Sequence, residues 1–288
     1  MVDHTSVLDD TSPADRLVMT LRGYGRTLVA FSGGVDSSVV LAAAARALGP
    51  GGAAAVTAVS PAVPAAEIDA AVDFCTQLGV AHHTVTTREL DVAGYRDNGP
   101  RRCYFCKSTL LTGAVALADA EGFAAVATGT NATDIAAGFR PGIRAAAERG
   151  ARTPLADLDL DKPAVRDIAR GWGLPTWDKP AAACLSSRIA YGVTITPARL
   201  ARVERAEAAL RPLLAAYGVR DLRVRDLGDA VRLEVDQPAV ATVRDGPAVC
   251  SAVRSAVRDA GFADAPLTVE PFRSGSMNDL LRDPERWR

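Results

Sequence analysis

The chain has 288 residues, of which 48% are hydrophobic and 23% are charged, so it has the composition of a globular protein and not of a disordered one. Its 33 basic and 34 acidic residues nearly cancel, which argues against the broadly cationic surface that binding to nucleic acid requires. Neither a signal sequence nor a long apolar run is visible, so we expect a cytoplasmic protein without membrane spans.

Short apolar segments alternate with helical segments over the first two-thirds of the chain. Strands that alternate with helices form a parallel sheet covered on both faces, and ligands bind at the carboxyl ends of its strands. We therefore predict an α/β fold with its ligand site at that edge. After a first helix that ends near residue 24, the predicted strands cover 27–31, 54–59, 83–86 and 124–128, and the predicted helices 39–48, 64–78, 107–121 and 161–171.

The last third of the chain has a different pattern. A segment with several prolines, residues 174–188, is longer than most connections within a compact domain, and such loops are usually functional. After a boundary near Gly192 the pattern predicts a small α+β domain, so the predicted domains are residues 1–192 and 193–288. The elements of the second domain are a helix over 196–217, a hairpin over 222–235, a helix over 239–260 and a strand over 266–269.

The most specific motif follows the first predicted strand. Two glycines let the backbone turn sharply there, and the next helix directs its unpaired N–H groups and positive dipole end at an anion such as pyrophosphate. The motif lacks the lysine of a Walker A loop, and its aspartate is interpreted as a ligand of Mg²⁺ beside phosphates. The predicted phosphate-binding residues are Ser32, Gly33, Gly34, Val35, Asp36, Ser37 and Ser38.

Two cysteines lie three residues apart in the first half of the chain. Cys103 and Cys106 have Arg101, Arg102 and Lys107 beside them, and such cations favour reactive or metal-bound thiolates. A lone CxxC pair is compatible with zinc, an iron–sulfur cluster, a redox pair or a loop end without a ligand. Zinc is disfavoured, because no second CxxC or suitably spaced histidine pair is present to complete a tetrahedral site.

The three other cysteines differ in their surroundings. Cys184 lies in the polar segment bounded by prolines, which has no evident core to fill, so we expect a chemical role for it. Cys75 and Cys250 lie in predicted helices among apolar residues, and we expect both to be small core residues.

Together these motifs resemble the LarE family of ATP-dependent pyridinium-3,5-biscarboxylic acid mononucleotide sulfurtransferases. The SGGxDS form of the first motif is similar to the PP-loop of the ATP pyrophosphatase superfamily, which cleaves ATP between its α- and β-phosphates. The resemblance covers most of the chain. It rests on FSGGVDSS at 31–38, RCYFCK at 102–107, TGTNATDIAAGFRPG at 128–142, PLADLDLDKPAVRDIA at 154–169, GLPTWDKPAAACLSSRIAYG at 173–192 and FRSGSMN at 272–278.

The resemblance implies a two-stage reaction in the biosynthesis of a nickel-pincer nucleotide cofactor. ATP would adenylylate a pyridinium carboxylate, and a sulfur nucleophile would then displace AMP to give a thiocarboxylate. Some members give up the sulfur of one cysteine, which matches Cys184. Others hold a 4Fe-4S cluster on three cysteines that match Cys103, Cys106 and Cys184, and we favour this route because an open iron allows repeated sulfur delivery.

Further roles follow from the same resemblance. Thr130, Asn131 and Asp134 are assigned to contacts with ATP or its metal. Planar guanidinium groups match phosphates and carboxylates, so arginines are assigned to the substrate. The expected substrate contacts are Arg188, Arg225 and Arg273, with Glu204 for proton transfer or metal binding, and the resemblance suggests a homo-oligomer in the form of a hexameric ring.

Three other functions remain open at this point. A tRNA-uridine thiolase would use the same loop but would need a basic surface of tRNA size, against which the net charge argues. Another adenylylating synthetase, of the amidotransferase type, would need an ammonia source, and no N-terminal glutaminase nucleophile is evident. A nonenzymatic nucleotide- or cluster-binding module would bind ATP without releasing pyrophosphate.

Overall fold

The computed structural model describes residues 11–138, 141–180, 184–263, 265–273 and 275–280. These residues form two compact units. The first contains residues 11–59, 65–87, 106–138 and 141–180, and the second contains the other described residues, among them 60–64 and 88–105. The predicted limits of 1–192 and 193–288 place those two short segments in the first domain, and as domain limits they stay a prediction.

The described residues contain seven strands, twelve α-helices and four short 3-10 helices. The strands are β1 (Thr27–Ala30), β2 (Ala53–Val59), β3 (Ala81–Thr86), β4 (Ala125–Ala127), β5 (Leu222–Asp226), β6 (Val231–Val235) and β7 (Leu267–Pro271). The helices are α1 (Pro13–Tyr24), α2 (Val35–Leu48), α3 (Ala65–Leu78), α4 (Ala93–Arg96), α5 (Arg102–Glu121), α6 (Ala132–Ala136), α7 (Pro141–Glu148), α8 (Pro154–Asp157), α9 (Lys162–Gly171), α10 (Pro197–Ala215), α11 (Val240–Asp245) and α12 (Pro247–Asp259). None of the described helices combines the length and the apolar character needed to cross a membrane.

The first unit is built on a parallel four-stranded sheet in the order β3-β2-β1-β4. Val29 in β1 is level with Ala55 in β2 and with Ala127 in β4. The strand order therefore reverses between β1 and β4. In doubly wound folds, ligands bind in the crevice at the carboxyl ends of the strands where the order reverses. The predicted parallel α/β fold is confirmed, and it places the loops after β1 and β4 next to each other.

Both faces of this sheet are covered, which explains why its central strand is apolar throughout. Leu28 and Ala30 point to one face, where they pack with Leu111 and Ala114 of α5. Val29 points to the other face, into the cluster formed by α1, α2 and α9. Because β1 is buried on both sides, the loop at its end starts from a fixed position.

The second unit is built on a three-stranded sheet in the order β5-β6-β7. β5 and β6 form the predicted antiparallel hairpin, and β7 runs parallel to β6. The hairpin turns through Gly228, whose φ of +100° is a conformation that favours glycine. The predicted small α+β region is therefore confirmed.

Several helices differ from the prediction: α2 begins at Val35 rather than at residue 39, and α4, α6, α7 and α8 are additional short helices. The helix expected over 239–260 is divided into α11 and α12, because Pro247 lacks an N–H group and disfavours helical backbone at Gly246. Helix α5 begins at Arg102 rather than at residue 107. Cys103 and Cys106 therefore belong to the start of a helix, where residues three apart lie on one face.

Candidate functional site

The first candidate site is the turn between β1 and α2 together with the start of α2, residues 32–38, which we call the phosphate loop. Gly33 has a φ of +71°, the left-handed conformation that lets the chain reverse there. Gly34 is the N-cap of α2 and has no side chain to cap the first N–H groups, while Val35 packs into the core and anchors the helix. The N–H groups and the positive end of the helix dipole therefore form a site suited to an anion.

Serine hydroxyl groups hold this turn in shape. Ser37 Oγ donates to the carbonyl of Gly34 over 3.0 Å and lies 3.2 Å from Ser32 Oγ, and Ser38 Oγ donates to the same carbonyl over 2.9 Å. Ser37 and Ser38 are buried, whereas Ser32 is exposed. The two buried hydroxyls stabilise the loop, and Ser32 is accessible to a ligand.

The loop after β4 packs directly on the start of α2. A Cβ at Gly129 would lie 2.6 Å from the nitrogen of Ser37 and 2.9 Å from the carbonyl carbon of Asp36, so only glycine fits there. Farther along this loop, Asn131 Nδ2 donates to Asp36 Oδ1 over 2.9 Å. Thr130, which lies between Gly129 and Asn131 in the sequence, is half-buried. The structure thus brings the predicted residues Thr130 and Asn131 to the phosphate loop.

The carboxylate of Asp36 is the centre of a polar cluster. One oxygen accepts the hydrogen bond from Asn131, and the other forms an ion pair with Lys162 at the start of α9. Asn131 is also the N-cap of α6, since its side chain accepts a hydrogen bond from the N–H of Asp134 over 2.9 Å. A carboxylate at this position has the oxygen donors that Mg²⁺ prefers, and the lysine adds a positive charge to the cluster.

Two lysines at this edge were not among the residues predicted from the sequence. Lys162 pairs with Asp36, and Lys179 Nζ donates to the carbonyl of Gly33 over 3.1 Å and to Glu67 Oε2 over 2.7 Å. The composition offered one sign that these lysines are unusual, because only three of the 33 basic residues are lysines. Both lysines bring a compact ammonium group to the residues around this turn.

Asp134 and Cys106 lie near Lys107 in the first unit. Burial lowers the pKa of the Lys107 ammonium, and the negative charges of Cys106 and Asp134 act in the opposite direction. Asp134 therefore lies beside the cysteine-bearing helix α5 as well as in the first turn of α6.

The second candidate site is the segment around Cys184 in the second unit. Cys184 is half-buried and precedes a 3-10 helix, Leu185–Arg188. Its carbonyl oxygen accepts hydrogen bonds from Ser187 Oγ over 2.7 Å and from Arg188 Nη1 over 3.0 Å. The N–H of Leu185 donates to the carbonyl of Ala62 over 2.9 Å. The backbone at Cys184 is therefore fixed, while the residue keeps partial access to solvent.

A buried guanidinium group lies between two of the predicted cysteines. Arg102 Nη1 donates to Asn98 Oδ1 over 2.7 Å and to the carbonyl of Ser186 over 2.9 Å. Burial acts to lower the pKa of Arg102, but the negative charges of Cys103 and Cys184 outweigh it and raise that pKa above its ordinary value. Cys103 and Cys184 thus share one buried cation.

The thiol of Cys75 has a different environment. Cys75 is 1% exposed in the core of the first unit, and burial raises its pKa to about 11. The prediction that Cys75 is a core residue is confirmed. Cys250 is only half-buried in α12 and lines a cavity, so the prediction that Cys250 is a core residue is not confirmed.

The donor geometry gives no support for a metal cluster. Among the residues that the structure describes, no group of three or more His, Cys, Asp or Glu side chains is placed to hold a metal ion. The expected 4Fe-4S cluster on Cys103, Cys106 and Cys184 is therefore not supported by the described residues.

Comparison with known proteins agrees with the fold and with the phosphate loop. A family model described as "Asparagine synthase" matches residues 17–120. The pyridinium-3,5-bisthiocarboxylic acid mononucleotide synthase of Lactiplantibacillus plantarum is 35% identical over 265 residues, which are 92% of this chain and 93% of that protein. The chain belongs to the LarE family. The protein slr1717 of Synechocystis is 41% identical to this LarE-family chain over 256 residues, 89% of this chain and 93% of slr1717.

Two arginines predicted to bind substrate form buried ion pairs in this LarE-family protein. Arg188 is 3% exposed, and its guanidinium donates to both carboxylate oxygens of Glu207 over 2.9 and 3.2 Å. Arg225 is 5% exposed and donates twice to Glu234 Oε2, over 3.0 and 2.7 Å. Both guanidinium groups therefore stabilise the second unit, and their contact with substrate stays a prediction.

Arg273 and Glu204 have other surroundings. Arg273 is exposed, pairs with Asp279 and lines a polar cavity of about 330 Å³ together with Arg232 and Ser276. Glu204 is half-buried on α10, whereas the buried carboxylate of that helix belongs to Glu207. Arg273 is the predicted substrate residue whose side chain is most accessible to a ligand.

Proposed function

We propose that the chain uses ATP to adenylylate a carboxylate of a pyridinium mononucleotide and then transfers sulfur to the activated carbonyl. One observation carries the first half of this proposal: the glycine turn lies where the strand order reverses, with Gly129 against its backbone and Lys162 beside it. The similarity to the L. plantarum pyridinium-3,5-bisthiocarboxylic acid mononucleotide synthase supports the substrate class and the thiocarboxylate product.

In the adenylylation step, a substrate carboxylate oxygen attacks the α-phosphorus of ATP, and the bond from that phosphorus to the β-phosphate oxygen breaks. The N–H groups at the start of α2 bind the departing pyrophosphate. Asp36 would hold a Mg²⁺ ion through a carboxylate oxygen, and that ion would supply positive charge for the phosphates. Lys162 adds its ammonium group on the same side of the loop. Thr130, Asn131 and Asp134 are proposed to orient the nucleotide.

In the sulfur step, the Cys184 thiolate attacks the acyl adenylate and AMP leaves with the bonding electron pair. The Cys184 Cα proton is then removed and the Cβ–S bond breaks, so the thiocarboxylate leaves and dehydroalanine remains. The fixed backbone and partial accessibility of Cys184 support this role. The buried guanidinium group of Arg102 interacts electrostatically with Cys184 and is available to balance negative charge on the attacking sulfur.

Three expectations stay predictions. We propose that Arg273 meets a phosphate or carboxylate of the substrate, since it is the exposed guanidinium of the set. The homo-oligomeric state and the cytoplasmic location rest on the sequence resemblance and composition alone.

The adenylylation step is tested by replacing Asp36 with Asn, which keeps its size and removes its charge. We expect pyrophosphate release to fall by about 100-fold or more, because a charge that stabilises the transition state is lost. The matched control is Asp91→Asn, which removes an exposed carboxylate 2.6 Å from Arg88. Equal pyrophosphate release by both variants, with both folded, would refute the role of Asp36.

The sulfur source is tested by intact mass after turnover. Loss of about 34 Da, the mass of H₂S, marks conversion of a cysteine to dehydroalanine. Iron and acid-labile sulfide analysis of protein purified without oxygen supplies the complementary test. Stoichiometric iron together with an unchanged protein mass would contradict Cys184 as the sulfur donor.

A further inference from the structure

Lys179 and Glu67 lie directly over the turning residue of the phosphate loop. Lys179 Nζ donates to the carbonyl of Gly33 over 3.1 Å and to Glu67 Oε2 over 2.7 Å. A Cβ added at Gly33 would lie 3.5 Å from Glu67 Oε2 and 3.6 Å from Lys179 Nζ. An ammonium group and a carboxylate therefore lie against the loop that the proposed function assigns to pyrophosphate.

The backbone at Lys179 is held in place, so that only its side chain needs to move. Arg166 of α9 donates from Nη1 to the carbonyl of Trp177 over 2.5 Å and from Nη2 to the carbonyl of Lys179 over 3.1 Å. The N–H of Lys179 donates to the carbonyl of Thr176 over 3.2 Å. The backbone position of Lys179 relative to the loop is thus fixed through Arg166 of α9.

The ion pair between Lys179 and Glu67 is weak enough to be exchanged. The side chains of Lys179 and Glu67 are 26% and 28% exposed, and ion pairs in contact with water contribute about 0–1 kcal/mol. A lysine ammonium is a compact charge with three rotatable donors, so it can change partners without rebuilding a planar contact. The phosphate chain of ATP carries several negative charges and competes strongly with one carboxylate.

We propose that Lys179 is a phosphate-binding residue that Glu67 holds over the loop before nucleotide binds. On binding, the ammonium group exchanges the Glu67 carboxylate for pyrophosphate oxygens, and Glu67 turns towards solvent. Lys162 behaves differently from Lys179 in this proposal. Its partner is Asp36, whose charge is needed at the phosphates, so Lys162 keeps its partner when nucleotide binds. This inference rests on the proposed ATP chemistry.

The inference is tested by titrating the full-length protein with inorganic pyrophosphate and, separately, with ATP in a calorimeter. Lys179→Gln is expected to weaken pyrophosphate binding by about 10–100-fold, the usual loss for a hydrogen bond to a charged group. Lys179→Arg keeps the charge and is expected to recover most of the affinity. Glu67→Gln is expected to bind pyrophosphate about 2–5-fold more tightly, because the competing carboxylate is gone. Asp91→Asn is the surface control and is expected to match the wild type.

The outcomes separate this inference from the proposed function. If the wild type binds ATP and pyrophosphate while Lys179→Gln and Glu67→Gln bind as the wild type does, the exchange is refuted and the proposed function stands. If the wild type binds neither ligand, both are refuted. If Lys179→Gln does not fold, Glu67→Gln decides, since unchanged or weaker pyrophosphate binding contradicts a competing carboxylate.

Discussion

The phosphate loop of the first unit and the Cys184 segment of the second unit are stabilised in different ways. The loop is shaped by backbone: Gly33 turns it, and Gly129 allows a neighbouring loop to approach. The Cys184 segment is held by the buried guanidinium groups of Arg102 and Arg188. The comparison teaches that small residues set the shape of one site, whereas buried guanidinium groups that bind backbone carbonyls set the shape of the other.

The largest expected effect is on product formation, and it separates sulfur transfer at Cys184 from pyrophosphate release at the phosphate loop. Cys184→Ser removes the sulfur and keeps the size of the side chain, so we expect no thiocarboxylate product while pyrophosphate release continues. Cys250→Ser is the matched control in the same unit and is expected to form product normally. Both products are measured in one reaction, by mass spectrometry and a pyrophosphate assay. Normal thiocarboxylate formation by Cys184→Ser would remove Cys184 from the mechanism.

The second-largest expected effect is on the free energy of unfolding, through the buried ion pair between Glu207 and Arg188 in the second unit. Glu207 is 4% exposed. Its carboxylate accepts two hydrogen bonds from Arg188 and one from the N–H of Val224. Glu207→Gln leaves a buried cation without its counter-charge, so we expect the free energy of unfolding to fall by about 3–5 kcal/mol. Urea denaturation checks this value.

The control for that experiment is an exposed ion pair. Asp167 is 71% exposed and lies 3.3 Å from Arg170, so Asp167→Asn is expected to change the unfolding free energy by less than about 1 kcal/mol. Equal stability of the Glu207→Gln and Asp167→Asn variants would show that buried charge does not hold the second unit together.

The smallest expected effect is on ATP affinity, through the close contact of Gly129 with the backbone at the start of α2. Gly129→Ala places a methyl group 2.6 Å from the nitrogen of Ser37, and overpacking of this kind costs about 1–3 kcal/mol. We expect ATP to bind about 10–100-fold more weakly, because the loop must move away from α2. Gly171→Ala, which has open space around its Cβ, is the control. Unchanged ATP affinity in the Gly129→Ala variant would show that close approach of the two loops is unnecessary.

The two regions were not equally predictable from the sequence. The strand, glycine turn and helix around Asp36 are contiguous in the chain, so their local pattern predicted the phosphate loop and the parallel sheet. The interruption at Pro247 was also visible in the sequence but was missed because apolar periodicity continues across it. Lys162 and Lys179 are far from the loop in sequence, and only the fold brings them to Asp36 and Gly33.

The arginines show the limit of reasoning from side-chain chemistry. The guanidinium group suggested substrate binding for Arg188 and Arg225, but the same planar charge also fits a buried carboxylate. Their partners, Glu207 and Glu234, lie on other elements, so no local spacing reveals the pairs. Exposure, which the sequence does not give, distinguishes Arg273 from the other two.

The central claim is that the loop after β1 directs cleavage of ATP between its α- and β-phosphates. The most direct measurement is the identity of the nucleotide and phosphate products when the protein is incubated with ATP, Mg²⁺ and pyridinium-3,5-biscarboxylic acid mononucleotide, followed by ³¹P NMR. AMP and pyrophosphate in equal amounts, formed only when the mononucleotide is present, is the predicted result. ADP and inorganic phosphate, or no turnover with ATP bound, would contradict it.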